Sequence, residues 1–337
     1  MPVGFVLPGM RLLPLLMATI GLAPALRAAD EVLLTRLPDR VRIGVGGRPF
    51  SEYVFTGQHY PYFYPVLAAD GTPLTRDFPI GNTPGEDHDH PHQISLWFAH
   101  GLMNGIDFWN QGTAGGPAPK GHVDHDALLE TTSGAVGVIH ATSRWFAPDG
   151  KLICTDDTTA RIQGGDGVRI LDYEVTLHAL PDKPLLLGDS KEGTLGIRLA
   201  QWMTLPHKYE GKALPGSGHI VTSAGDRDGA AWGKRAEWCD YYAPHAGKVY
   251  GVAIFDDPRN LRHPTWWMAR DYGLFGANPF GQHSYENTPD ANAGDYTIPA
   301  GQSLTLRYRF YFHEGDAAAA QLAARYADYV KNLPAAP

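Results

Sequence analysis

The chain has 337 residues, 43% of them hydrophobic and 19% charged, with a formal net charge of −8. That length can bury a large core, as one big β domain or two smaller ones. The acidic balance and the lack of any Lys/Arg run speak against nucleic acid as a partner. The 8 Trp, 16 Tyr and 13 Phe suit either sugar-face stacking or an ordinary β core.

Residues 1–28 read as a secretory signal. Arg11 provides a positive n-region, residues 12–25 an apolar stretch of signal length, and Ala28 and Ala29 a cleavage point, although Leu26 and Arg27 fit the upstream position poorly. No later stretch approaches the ~20 apolar residues of a spanning helix. The expectation is an exported protein, periplasmic or secreted, without integral membrane association. Cys154 and Cys239 are the only cysteines. Export permits them one disulfide; two buried free thiols are the alternative, since a fold of this size does not need the staple.

Val41, Ile43 and Val45 alternate with polar or small residues, the period of a half-buried strand. Residues 62–68 read as a second strand, with Pro65 marking an edge or bulge. A Gly/Pro/Asn loop over 79–85 leads into Asp87-His88-Asp89-His90-Pro91-His92-Gln93 and the aromatic run through Trp97 to His100. Residues 111–121 form a Gly/Pro/Ala connector. Strands follow over 135–146, 151–163 and 168–180, and Leu171, Tyr173, Val175 and Leu177 share one face of the last. Tyr250, Val252 and Ile254 mark another strand, as do Leu304, Leu306, Tyr308, Phe310 and Phe312. One helix is expected over 316–333, capped by Asp316 and stopped by Pro334. Many short strands without βαβ alternation predict an all-β fold: a large antiparallel sandwich over 29–337, one domain ending in that helix.

His88, His90 and His92 stand at i, i+2 and i+4. On an extended segment they would share a face and form a metal site, with Asp87 or Asp89 orienting them; the competing reading is a polar loop without metal. Cofactor expectations are therefore none, or one divalent metal. Glu192 is a candidate acid or base, and Arg198 a clamp for carboxylate or hydroxyls. Trp232, Trp238, Tyr241 and Tyr242 precede Asn260 and His263, then Trp266, Trp267, Arg270, Tyr272, Asn278 and His283. Aromatic platforms beside Arg, Asn and His are what a sugar ring needs.

Thr75-Arg76, Asp89-His90-Pro91-His92, Trp97-Phe98-Ala99-His100-Gly101, Asn104-Gly105-Ile106-Asp107-Phe108-Trp109, Glu192-Gly193, Gly196-Ile197-Arg198, residues 260–264, Arg270-Asp271-Tyr272-Gly273 and Asn278-Pro279-Phe280-Gly281 together resemble the bacterial "PmoA-like" family of unknown function, over about residues 48–315. That name is borrowed from a membrane methane monooxygenase subunit, an activity that a chain without later apolar spans does not house. One departure stands out: a His pair is expected after Pro91, and here it is His92-Gln93. The resemblance implies a galactose-mutarotase-like supersandwich and a place in polysaccharide or glycoside breakdown. In such sites a His acid and a Glu base act across the sugar ring, and by role His92 or His100 with Glu192 stand nearest.

The functional expectation is an exported carbohydrate-active enzyme, a glycoside hydrolase, lyase or sugar epimerase, acting on a small-molecule or oligosaccharide substrate. His90, His92, His100 and Glu192 are its candidate catalytic groups. Arg76, Asp107, Trp109, Arg198, Trp238, Asn260, His263, Arg270, Tyr272, Asn278 and His283 are its candidate substrate contacts. The alternatives are a sugar-binding protein without chemistry and a metal-dependent oxidoreductase.

Overall fold

The computed structural model describes residues 1–4, 30–113, 116, 118–165 and 167–334. The expected leader lies outside the described residues apart from its first four. The first strands are β1 (Val32–Arg36), β2 (Arg40–Val45), β3 (Arg48–Val54), β4 (Tyr62–Phe63) and β5 (Leu96–His100). A long meander follows: β6 (His122–Thr132), β7 (Gly137–Phe146), β8 (Leu152–Gly165) and β9 (Val168–Ala179). Next come β10 (Leu185–Leu187), β11 (Gly193–Arg198), β12 (His207–Tyr209), β13 (Lys212–Leu214) and β14 (His219–Thr222). The last strands are β15 (Trp238–His245), β16 (Lys248–Asp256), β17 (Trp266–Ala269), β18 (Leu274–Asn278), β19 (Tyr296–Ile298) and β20 (Ser303–Glu314). The helices are the short α1 (Gln282–Glu286) and the C-terminal α2 (Leu322–Lys331).

Two eight-stranded sheets form the body. The first runs β1-β2-β3-β4-β5-β11-β18-β17 and the second β14-β15-β16-β20-β9-β8-β7-β6. Neighbours in both pair antiparallel. This is the large antiparallel sandwich with a C-terminal helix that the turn signals imply. Alternation builds its core: Val41, Ile43 and Val45 of the first sheet and Leu171, Val175, Leu306 and Phe310 of the second belong to one buried cluster. Phe98 of β5 meets Trp145 and Tyr173 across the interface. The outer face of the second sheet offers Trp238, Phe255 and Tyr311, and α2 covers them with Leu322, Tyr326 and Tyr329.

Two expectations are corrected in detail, one strand is added, and one of the two cysteine alternatives is found. The strand expected over 62–68 stops at Phe63, because Pro65 has no N–H for the ladder. The helix begins at Leu322 rather than 316: Asp316 accepts the Ala319 N–H in a preceding turn, and Gln321, at φ 55°, interrupts the helical path. An eleven-residue strand, β6, escaped notice because its HVDHDALLETT sequence lacks apolar alternation. Cys154 and Cys239 are buried free thiols. They occupy β8 and β15 of one sheet with three strands between them, on the order of 19 Å at the usual strand spacing, far outside disulfide reach.

Candidate functional site

The outer face of the first sheet is covered by loops, and the ionisable groups gather there. In β5, Leu96 and Phe98 turn inward, so Trp97 turns outward, against Tyr60 and Trp109 at ring-centroid distances of 6.2 and 4.8 Å. Trp97 pairs in register with Gly196 of β11. A Cβ on Gly196 would stand 2.9 Å from Trp109 and 3.0 Å from Trp97, so glycine there lets both indoles lie flat on the strand. Two residues on, Arg198 emerges on the same side.

Arg198 and Arg76 are almost completely buried, with 1% and 0% of their side chains exposed. Both guanidinium groups bond Asp89 Oδ1, that of Arg198 at 2.8 Å. Arg198 also donates to Gln93 Oε1, and Arg76 to the carbonyls of Phe78, Asp87 and His90. Apart from Arg198 Nε, which has no partner among the described residues, these donors are used on the chain itself, and the two side chains pin the His loop. Burial, then repulsion from Arg198, pushes Arg76 down to about 10. Burial works against ionisation of Asp89, but His90, Arg198 and Arg76 outweigh it and hold its carboxyl well below the usual range.

The loop so held is not extended. His90 has φ 42°, and Gln93 N–H closes a turn onto the His90 carbonyl at 2.9 Å. The shared face expected of the three histidines is therefore not formed: His90 and His92 meet edge to face at 5.6 Å, and His88 stands apart. His88 stacks on Phe78 at 4.5 Å. His92 is buried, its carbonyl accepts from the Tyr60 hydroxyl, and its Nδ1 has no partner among the described residues. Burial, with the positive surroundings of His90, Lys120, Arg198 and Arg76, brings His92 down to about 3. It is neutral at physiological pH and cannot rest as a proton-donating imidazolium. No group of three or more His, Cys, Asp or Glu among the described residues is arranged to hold a metal.

His90 is different. Its side chain is 42% exposed, its Nδ1 lies 2.6 Å from Asp89 Oδ2, and its ring stacks parallel on Tyr272 at 5.2 Å. Asp89 fixes Nδ1 as the donor and leaves Nε2 free to act on a ligand. Tyr272 in turn packs under the Arg198 guanidinium, 4.7 Å from the ring centroid.

Glu192 precedes β11 and is 28% exposed. Burial raises its pKa, against the opposing pull of Lys191, Arg270 and His90. Those charges place Arg270 and His90 within electrostatic reach of it. Arg270 lies over Trp232, its guanidinium carbon 3.4 Å from the ring centroid, and forms no ion pair among the described residues. Asn278 steadies this side: its amide donates to the Ser190 carbonyl and the Tyr285 hydroxyl, and Tyr285 donates to the Lys191 carbonyl. Asn278 thus positions the Glu192 segment.

Several expected residues have other work. His100 is fully buried, donates from Nε2 to the Gly188 carbonyl at 2.8 Å, and is brought down to about 4 by burial. Asp107 folds its own loop, accepting from the N–H groups of Trp109 and Asn110; Trp109 is buried beside Trp97. Asn260 and His263 both bond Asp256 at the end of β16. Trp238 packs in the cluster under α2. His283 N–H donates to Asp189 Oδ2, and its ring bonds the Thr288 carbonyl. The face thus brings together His90, His92, Glu192, Arg270 and Tyr272 above Arg76 and Arg198. His100, Trp238, Asn260, His263 and His283 are not among them. A cavity of about 860 Å³ lies on the other sheet beside α2, where Arg307 and Arg309 are already paired with Glu174 and Asp172.

Tyr60 and Lys120 join the site without any signal in the sequence, because each comes from a segment with no motif. Gln93 stands out in the sequence only as a missing histidine, yet its amide holds Arg198.

No curated protein matches the chain in sequence. Among solved structures it is similar to the GH36 α-galactosidases AgaA and AgaB of Geobacillus stearothermophilus. For AgaA the TM-score is 0.38 at 9% identity, with 85% of this chain and 40% of that one covered. For AgaB the values are 0.39, 10%, 84% and 41%. The α-galactosidase of Lactobacillus brevis gives 0.39 at 10% identity, over 86% of this chain and 40% of that one. The chain therefore spans about two fifths of the length of these enzymes. No helix of the described residues is long and apolar enough to cross a membrane. A family profile described as a family of unknown function (DUF6807) matches residues 40–327. On that match, this chain belongs to the DUF6807 family of unknown function.

Proposed function

We propose that the protein is an exported carbohydrate-active enzyme, working on a glycoside or sugar by acid–base chemistry between His90 and Glu192. The observation that carries this reading is the Asp89-held His90, with Nε2 free, within electrostatic reach of a half-buried Glu192 whose pKa burial raises. One group is built to take a proton and the other to give one, the pairing that glycosidic and epimerising chemistry requires. Tyr272 and Trp232 supply aromatic surface for a sugar ring, and Arg270 a directional donor for its oxygens. His92, neutral and buried, serves as a hydrogen-bonding wall. Arg76 and Arg198 act through Asp89 as positioning residues. The leader-like residues 1–28 support export, and one β domain over 29–337 is the unit proposed to act.

Incubation with a glycan panel, read by mass spectrometry, tests the proposal. Products are expected from the wild type and not from His90→Ala or Glu192→Gln. Tight binding of a glycan with no product from the wild type would leave a sugar-binding protein instead.

A further inference from the structure

We infer that the sugar is a uronic acid, held by its carboxylate on Arg270, and that the reaction is β-elimination of the glycosidic bond next to it. This rests on the carbohydrate reading above and names its substrate class.

Charge is the first ground. The whole chain is acidic, yet around His90 and Glu192 the cations are undercompensated. Arg76 and Arg198 share the single carboxylate of Asp89. Lys120, whose charge bears on His92, is bonded to Thr113 through its carbonyl and hydroxyl, both neutral acceptors. Arg270 rests on Trp232 without an ion pair among the described residues. Asp107, the other carboxylate near Glu192, is bonded only by neutral N–H groups of residues 109 and 110, so it counts against one of these four cations. A neutral sugar leaves this excess unanswered. A planar guanidinium fixed on an indole face is shaped to take a carboxylate through two bonds.

The second ground is chemical. The C5–H of a uronide is acidic enough to remove only when the neighbouring carboxylate is neutralised, which a guanidinium accomplishes. His90 Nε2 takes the C5 proton, and the C–H electron pair becomes the C4–C5 double bond. The C4–O bond to the next sugar breaks, and the leaving oxygen receives the Glu192 proton. The products are a 4,5-unsaturated uronide and a chain end with a free hydroxyl. His90 and Glu192 then return to their starting states by proton exchange with solvent. No water is consumed, and no oxidant or reductant is needed.

The test uses the full chain with oligogalacturonate and oligomannuronate, their methyl esters, and their carboxyl-reduced neutral counterparts. Ultraviolet absorbance of the unsaturated product is followed, with mass spectrometry in ¹⁸O-labelled water. Cleavage of a free uronide with no label in the product is expected, along with weak or no cleavage of its ester. Arg270→Ala is expected to lower kcat/KM on the free acid by on the order of 100-fold, with Arg270→Lys recovering part of that loss. A circular-dichroism melt confirms that each variant is folded. Cleavage of neutral glycans with label incorporated, and none of uronides, would overturn this inference while leaving the carbohydrate reading in place. Absence of binding and turnover with every glycan, neutral or acidic, would overturn both.

Discussion

Arg198, buried at the end of β11, donates to Asp89 across 109 positions of sequence, at 2.8 Å. That bond ties the first sheet to the loop bearing His90, and Arg76 completes it from the other side. The geometry of the proposed base thus depends on a strand that lies outside its own segment.

Asp89→Asn tests this arrangement. It leaves two buried guanidinium groups without their shared charge, a loss of about 3–5 kcal/mol by analogy with broken buried pairs. Urea unfolding of the two proteins at pH 7 measures it. The folded-state pKa of Asp89 is depressed, so its contribution is present above the unfolded value near ~3.9. It is lost as pH falls through the folded value. The gap between wild type and variant therefore closes only in strong acid. A gap that is unchanged there would mean the stability comes from packing.

Glu192 governs a second outcome. Burial, the largest influence on it, raises its pKa, so it keeps its proton to a higher pH than an ordinary glutamic acid. As the proton donor it works only when protonated, and activity is lost as pH rises through that value. Glu192→Gln should lower kcat by roughly 10²–10⁴-fold, the usual range for a general acid, and should remove that alkaline limb. A pH–kcat profile on the first substrate found reads both effects. A limb that persists in the variant assigns it to another group.

Asp156 lies in the core between the sheets, accepting from Trp145 Nε1 at 2.6 Å and from Thr158 at 3.0 Å. Burial pushes it up to about 6, above the unfolded value of ~3.9. A raised acid supplies stability below its unfolded pKa and loses it as pH rises through the folded one. Wild-type stability should therefore fall between about pH 4 and 6 by roughly 3 kcal/mol. Asp156→Asn keeps an oxygen for Trp145 and carries no charge, so that part of the fall should be missing from its curve over the same interval. Thermal melts at half-unit pH steps decide it, and parallel curves would refute the assignment.

Gly196 is tested by size. Its Cβ position is 2.9–3.1 Å from the tips of Trp109 and Trp97, and both rings are buried. Gly196→Ala should cost about 1–3 kcal/mol, the range for overpacking, and should shift the tryptophan fluorescence by moving the indoles. An unchanged emission spectrum with unchanged stability would show that the face has slack.

The strands over 137–146, 152–165 and 168–179 were legible because each buries one face, and period-2 alternation writes that directly into the residue order. The His-rich loop was legible by composition, but its shape was not. His88, His90 and His92 share a face only on an extended chain, and His90 adopts positive φ. His100 and His90 looked alike as candidates, since a string of letters carries no burial, yet one is fully buried and the other 42% exposed. Trp238 and Trp232 are six residues apart, yet one is packed under α2 and the other carries Arg270.

Residue order by itself determined the class of the fold, the acidic character of the chain and the neighbourhood of the candidate site, because hydrophobic period and local composition are properties of adjacent residues. Only the tertiary structure decided which groups partner one another and which stay exposed. It gave Arg76 and Arg198 to Asp89, sent Asn260 and His263 to Asp256, and set Glu192 within reach of His90. Those partnerships join residues from 4 to 109 positions apart, and the energies that select them, desolvation and ion pairing, exist only once the sheets have closed around them.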